Sequence, residues 1–144
     1  RAGRAGIDSE VIIQTYKPEH YALKYAAAQD FEGFYRQEIA FRNIAQYPPS
    51  IHILCIQISA KNEKKLSDFS SIYARNAKKH CISCAASLIG AIEAPIYKLH
   101  DYYRKLVYIK HQDYNKLLEI KTALDREAVE IPCFNEISFL YDLN

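Results

Sequence analysis

The sequence contains no apolar run that approaches the length of a membrane-spanning helix, which is about 20 residues. Its formal charge is only +2 over 144 residues, so bulk charge makes no case for binding a polyanion. Its composition is ordinary for a globular protein, with 49% hydrophobic and 25% charged residues. We therefore predict one folded domain, or one domain plus an appendage, in which only a local patch could bind nucleic acid.

Cysteine is sparse, with four residues and no spacing typical of a disulfide framework, which predicts reduced thiols in a cytoplasmic protein. Cys81 and Cys84 form a single Cys-x-x-Cys pair, while Cys55 and Cys133 stand alone. Because structural zinc takes four ligands, we predict no metal in this chain and small, packed cysteines. A redox or zinc module at Cys81 and Cys84 is the alternative.

The first third of the chain predicts a strand followed by two helices. Residues 10–16 form a β-branched run typical of a buried strand, and Pro18 stops it. Residues 20–28 favour a short helix, and Asp30 is placed to cap a second one. Because Tyr47-Pro-Pro49 ends that helix, we predict a domain boundary there, separating residues 1–47 from residues 48–144.

The remainder predicts an α+β domain. A central strand at residues 51–58 precedes a helix capped by Asn62, and Asp113 caps another amphipathic helix. Further extended segments are expected at residues 86–92, 96–99, 104–110 and 137–143. The order β-α-β-β-α-β predicts a small four-stranded mixed or antiparallel sheet with two helices on one face.

Two motifs follow one another at the front of the chain. Arg1-Ala-Gly-Arg-Ala-Gly6 leads into Glu10-Val-Ile-Ile-Gln-Thr-Tyr-Lys-Pro-Glu-His20. The first resembles the last conserved motif of superfamily 2 helicases, and the second resembles a signature of the PriA family of replication-restart helicases (primosomal protein N′). The likeness continues in Tyr47-Pro-Pro49, Ala94-Pro-Ile-Tyr-Lys98 and Tyr141-Asp-Leu-Asn144. It thus covers nearly the whole chain.

This resemblance implies the C-terminal fragment of an ATP-dependent 3′–5′ DNA helicase, which recognises stalled forks and restarts replication by primosome assembly. Residues 1–47 would end the second helicase lobe, and residues 48–144 would bind fork DNA. The implied partners are forked or single-stranded DNA and, through the parent enzyme, single-strand-binding protein and primosome proteins. The implied location is the bacterial cytoplasm, in association with the nucleoid, and not a membrane.

Arg1 and Arg4 match the two arginines of the helicase motif, so the resemblance implies that they contact nucleotide phosphates in the intact enzyme. The chain has no Gly-x-x-x-x-Gly-Lys-Ser/Thr phosphate loop. We therefore predict that the fragment alone does not hydrolyse ATP. ATP, magnesium and zinc are expected in the parent, outside this fragment, and no cofactor is expected within it.

Residues 95–105 contain the densest mixture of aromatic and cationic side chains in the chain. Such a mixture suits single-stranded or branched DNA, because bases stack on tyrosine while cations hold phosphate. The candidate DNA-binding residues are Lys98, Tyr102, Tyr103, Arg104 and Lys105. From composition alone, a surface hairpin with packed tyrosines and solvated charges is the favoured interpretation, whereas the resemblance reverses that preference and favours fork DNA. The alternative function is a free-standing α/β protein-interaction domain with no nucleic-acid role.

Overall fold

The structure, a computed structural model, describes residues 10–144. These residues divide into two compact units, the first ending at Ala40 and the second comprising Phe41–Asn144. The division falls within a helix, several residues before the Tyr47-Pro-Pro49 segment. The domain boundary predicted at that segment stays a prediction.

The first unit contains helix α1 (Tyr21–Ala27) and most of helix α2 (Phe31–Ala45). Asp30 caps α2 as predicted, because its Oδ1 accepts a hydrogen bond from the Gly33 amide at 2.8 Å. The rings of Tyr21 and Phe34 stack at 6.2 Å between centres. These two helices match those predicted for this part of the chain, and their assignment to a helicase lobe stays a prediction.

The strand predicted over residues 10–16 is wrong, because these residues form no regular secondary structure. Ile12 is 85% exposed and Tyr16 is fully exposed. A β-branched run forms a stable strand only when a neighbour completes its hydrogen-bond ladder, and no strand within residues 10–144 pairs with it. The predictions for Arg1 and Arg4 lie outside the described residues.

The second unit confirms the predicted order β-α-β-β-α-β. Its elements are β1 (His52–Ala60), α3 (Glu63–Ser83), β2 (Ser87–Leu99), β3 (Tyr102–His111), α4 (Tyr114–Ala128) and β4 (Ser138–Leu143), with a short 3₁₀ turn at Phe134–Glu136. The sheet order is β2-β3-β1-β4, and every neighbouring pair is antiparallel. The fold is therefore α+β, with the predicted central strand at β1.

Strand β2 joins the two extended segments that were predicted separately at residues 86–92 and 96–99. Pro95 does not end it, because β2 is an edge strand and can lack a ladder donor. Its register with β3 shifts between Gly90 and Ile92 and again between Glu93 and Lys98. The result is one irregular strand of 13 residues.

The core of this unit lies between the sheet and helices α3 and α4. Alternate residues of β1 point into it, with Leu54, Ile56 and Ile58 fully buried. The helices contribute buried residues at helical spacing, namely Leu66, Phe69, Tyr73, Leu117, Ile120 and Leu124. Burying each such side chain contributes about 1.5–3 kcal/mol. Asn62 and Asp113 cap the two helices as predicted. In the described part of the chain, no helix is long and apolar enough to cross a membrane.

Candidate nucleic-acid interface

Strands β2 and β3 form a hairpin whose tip carries the candidate residues. Leu99 pairs with Tyr102, so the loop consists of His100 and Asp101, which have φ angles of 45° and 63°. Two positive φ angles in a two-residue loop are typical of a type I′ turn. The tight turn places Lys98 directly opposite Tyr103 in the ladder.

On the side of the sheet covered by helices, a cation and two aromatic rings meet. Lys98 Nζ lies 5.1 Å from the centre of the Tyr103 ring, and the ring of Tyr97 meets that of Tyr103 edge to face at 5.5 Å. Lys98 also lies 3.6 Å from the exposed carboxylate of Asp101, a weak contact at the surface. Lys98 and Tyr103 are thus brought together as a cation–π pair.

The start of α3 contacts the same end of the sheet. The Tyr97 hydroxyl donates a hydrogen bond to Glu63 at 3.2 Å, and Lys105 Nζ donates to Ser67 Oγ at 3.3 Å. Partial burial, together with the Glu63 bond, raises the pKa of Tyr97. Lys105 is therefore directed toward α3, away from the turn.

Lys61 is a functional candidate that the sequence analysis missed. It follows Ala60, which is the ladder partner of Tyr103, and its Nζ lies 5.6 Å from the centre of the Tyr102 ring. Lys61 forms no ion pair within residues 10–144. Only the register between β1 and β3 could have revealed it, because the two residues are far apart in sequence. We call Lys61, Tyr97, Lys98, Tyr102 and Tyr103 the hairpin-end cluster.

Arg104 is placed differently from Lys98, Tyr103 and Lys105. It alternates with Tyr103 and Lys105 along β3, so it lies on the sheet face away from α3 and α4. Its Nε and Nη2 atoms both donate to the Ile96 carbonyl, at 3.0 and 2.6 Å. Because a guanidinium carries five N–H donors, this arrangement leaves three that are not used on Ile96.

The Cys-x-x-Cys pair lies at the end of α3, away from the hairpin tip. Cys81 is buried and Cys84 is half-buried. Burial raises the pKa of Cys81 to about 11, so its thiol stays protonated at neutral pH. Across residues 10–144, no three His, Cys, Asp or Glu side chains are arranged to hold a metal ion.

Comparison with known proteins identifies relatives along most of the chain. Residues 43–136 match the family described as Primosomal protein N C-terminal domain. Replication restart protein PriA of Bacillus subtilis (strain 168) is 32% identical over 132 residues, which are 91% of this chain and 16% of that protein. The protein of the same name from Chlamydia trachomatis serovar D is 26% identical over 141 residues, which are 95% of this chain and 18% of that protein. The chain thus spans less than a fifth of the length of either relative.

Among solved structures, the De novo designed protein Foldit4 is similar, with a TM-score of 0.52 and 14% identity. The match covers 65% of this chain and 96% of the designed protein, and it shows a shared fold. The family match covers most of the second unit, including the whole hairpin-end cluster. The resemblance predicted from the sequence motifs is confirmed, and the chain belongs to the primosomal protein N C-terminal domain family.

Proposed function

We propose that this chain is the fork-binding C-terminal part of an ATP-dependent 3′–5′ DNA helicase that takes part in replication restart. Two kinds of support combine here: its relatives carry the name Replication restart protein PriA, and the hairpin-end cluster has the chemistry of a nucleic-acid site. The observation that carries the proposal is a pair of tyrosine rings, each with a lysine ammonium 5.1 or 5.6 Å from its centre.

At a fork, unpaired bases have free faces that stack on aromatic rings. Tyr102 is 36% exposed at the turn, so its ring is accessible to such a base. Lys61, whose Nζ lies 5.6 Å from the centre of that ring, would then neutralise a phosphate beside the stacked base. Lys98 would hold a phosphate on the helix-covered side of the turn. Arg104 would contact a phosphate through the donors that it does not use on Ile96. Lys105, which lies against Ser67 on α3, would add positive charge on the helix-covered side.

The proposal includes roles that belong to the longer protein. Arg1 and Arg4 would contact the phosphates of ATP, whose magnesium and phosphate loop would come from elsewhere in the enzyme. Zinc would also be bound outside this chain. Single-strand-binding protein and primosome proteins would be partners of the assembled enzyme.

The test is a titration of the 144-residue chain against forked, single-stranded and duplex DNA at several salt concentrations. Lys61→Ala combined with Lys98→Ala should weaken binding to forked and single-stranded DNA for all sequences, and should flatten the salt slope by up to about two units. Lys116→Ala with Arg126→Ala removes the same number of charges from α4 and is the matched control.

Equal losses in the two double variants would overturn the assignment of the hairpin-end cluster. If the unmodified chain binds none of the three DNAs, the proposed function fails. That result would favour the protein-interaction alternative.

A further inference from the structure

Helix α3 presents a row of cations on the side opposite its buried residues. Its buried side includes Leu66, Tyr73 and Ala77. At 100° per residue, Lys64, Arg75 and Lys78 fall on the opposite side, and all three are exposed. We call these three residues, together with the adjacent and exposed Lys79, the α3 cation row.

These cations differ from others on the same face of the domain because they lack carboxylate partners. On α4, Lys116 pairs with Glu119 at 2.7 Å and Lys121 pairs with Asp125 at 2.6 Å. Lys65, on the flank of α3, pairs with Glu136 at 2.5 Å. Within residues 10–144, by contrast, no ion pair involves any member of the α3 cation row.

The spacing of the α3 cation row destabilises the helix when no anion is bound to it. Arg75 has Lys78 and Lys79 three and four residues along the helix, where like charges repel and destabilise a helix by about 0.2–0.5 kcal/mol per pair. Asp68 is the acidic residue on this side of the helix, and no ion pair joins it to a member of the row. A bound polyanion would attract each of these cations and so offset their mutual repulsion.

The other residues on this side of the helix indicate which polyanion fits. They are Asp68, Ser71 and Ile82, and none of them is aromatic. A surface without aromatic rings offers little on which unpaired bases can stack, so its contacts would be mainly with phosphates. A backbone whose bases are paired and hidden, as in a duplex, meets that requirement.

The row is continuous with the hairpin-end cluster. Helix α3 begins at Glu63, which accepts the Tyr97 hydrogen bond, so Lys64 lies beside that cluster. From Lys64 to Lys78 the helix rises about 21 Å, which is the length of about six base pairs of duplex. A fork offers this combination, with unpaired bases at the junction and a duplex arm leaving it.

We propose that the outer face of α3 binds the phosphate backbone of the duplex arm of a fork, while the hairpin-end cluster holds the unpaired bases at the junction. This inference rests on the proposed function. It assigns the two nucleic-acid forms of one substrate to two different surfaces of the domain.

The test uses a series of forks with one constant single-stranded segment and duplex arms of increasing length. For the unmodified chain, affinity should rise until the arm reaches about six base pairs and then level off. Arg75→Ala with Lys78→Ala should remove most of that rise, on the order of tenfold, and should lower the salt slope on long-armed forks by about two units. Affinity for the single strand alone should not change.

Lys116→Ala with Arg126→Ala is again the matched control, and Arg75→Lys with Lys78→Arg should restore the dependence on arm length. Because Arg75 and Lys78 are exposed, the alanine variant should melt at the same temperature as the unmodified chain or slightly higher, since it loses the repulsion within the row. An unaltered arm-length dependence in the alanine variant would overturn the inference, and so would an equal loss for single strands. Failure of the unmodified chain to bind any fork would instead overturn the proposed function.

Discussion

Arg104 donates two hydrogen bonds, from Nε and Nη2, to the single carbonyl oxygen of Ile96. That carbonyl lies in the part of β2 where its register with β3 shifts, between Glu93 and Lys98. The guanidinium therefore braces the edge strand where the regular ladder is interrupted. Arg104 therefore both stabilises the hairpin and contributes to its positive charge.

Replacing Arg104 should separate these two contributions. Arg104→Ala should lower the free energy of unfolding by about 1 kcal/mol, since the bonds lie at the surface, and should flatten the salt slope of DNA binding by about one unit. Arg104→Lys should keep the slope but not the stability, because an ammonium lacks the planar fork. Urea unfolding and DNA titration measure the two effects. An unchanged unfolding free energy would exclude the brace, and an unchanged slope would exclude the phosphate contact.

Tyr102 and Tyr103 are adjacent but should behave differently. Tyr103 is half-buried and packs against the core, so Tyr103→Ala should lower the melting temperature. Tyr102→Ala should leave stability nearly unchanged and weaken single-strand binding by about 1–3 kcal/mol, the scale of one lost base stack. Tyr114→Ala is the control, because Tyr114 is also exposed, at 42%, but lies on α4. A similar affinity for the Tyr102 and Tyr114 variants would exclude stacking on Tyr102.

Most of the second unit could be predicted from the sequence because helix caps and apolar spacing indicate the same elements there. Asn62 and Asp113 both cap helices, and the apolar residues of those helices recur at the spacing of a buried face. The β-branched run at residues 10–16 was misread for the opposite reason. Strand propensity depends on a neighbouring strand, and the sequence does not state whether one is present.

The candidate interface was predicted only in part. The composition of residues 95–105 identified Lys98 and Tyr102 as candidates, and these residues lie on either side of the β2–β3 turn. It did not reveal Lys61, because this residue reaches Tyr102 through the pairing of β1 with β3. Nor did it reveal that Arg104 bonds to Ile96, since that contact depends on an irregularity in β2.

The chain should show no ATPase activity, with or without DNA, because it lacks a phosphate loop. In the longer helicase that we propose, with its other lobes present, hydrolysis should be stimulated by DNA. Arg4→Ala should then lower turnover by on the order of a hundredfold, the scale of charge stabilisation lost at a transition state. A steady-state phosphate-release assay measures both results. Turnover near that of the unmodified enzyme would exclude the role given to Arg4.

Stability should fall at alkaline pH. Burial and the 2.6 Å hydrogen bond donated to Asp125 raise the pKa of Tyr141, and burial raises the pKa of Tyr73. The folded protein then holds these protons more tightly than the unfolded chain, whose tyrosines ionise near pH 10. This stability is fully present below about pH 10 and is lost as the pH rises further.

Tyr141→Phe tests the origin of that loss. Without the bond to Asp125, the variant should be about 1 kcal/mol less stable at pH 7. Its stability should decline less steeply above about pH 10, since one fewer raised tyrosine is present. Urea unfolding at a series of pH values measures the slope. Equal slopes in the two proteins would show that Tyr141 does not contribute.

Two truncations locate the boundary between the units. Residues 48–144 should fold alone, because they contain the whole buried core. They should be less stable than residues 41–144 by about 0.5–1 kcal/mol, since the shorter piece loses the Tyr47 ring that lies 4.2 Å from Lys110 Nζ. Calorimetry of both pieces provides the comparison. Absence of a cooperative transition in residues 48–144 would place the boundary earlier, toward Ala40.

The position of β1 between β3 and β4 has a consequence for synthesis on the ribosome. β1 is the first strand of the sheet to be made, and β4, which pairs Leu143 with Leu54, is the last of the four. At about 5–20 residues per second the interval between them is about 4–17 s. The nascent β1, with its mostly apolar Ile53–Ile58 segment, lacks both neighbours until β3 is made and one neighbour until β4 is made, and it exposes edges that other chains can extend. Shielding the emerging chain until β4 is made should therefore raise the yield of soluble protein.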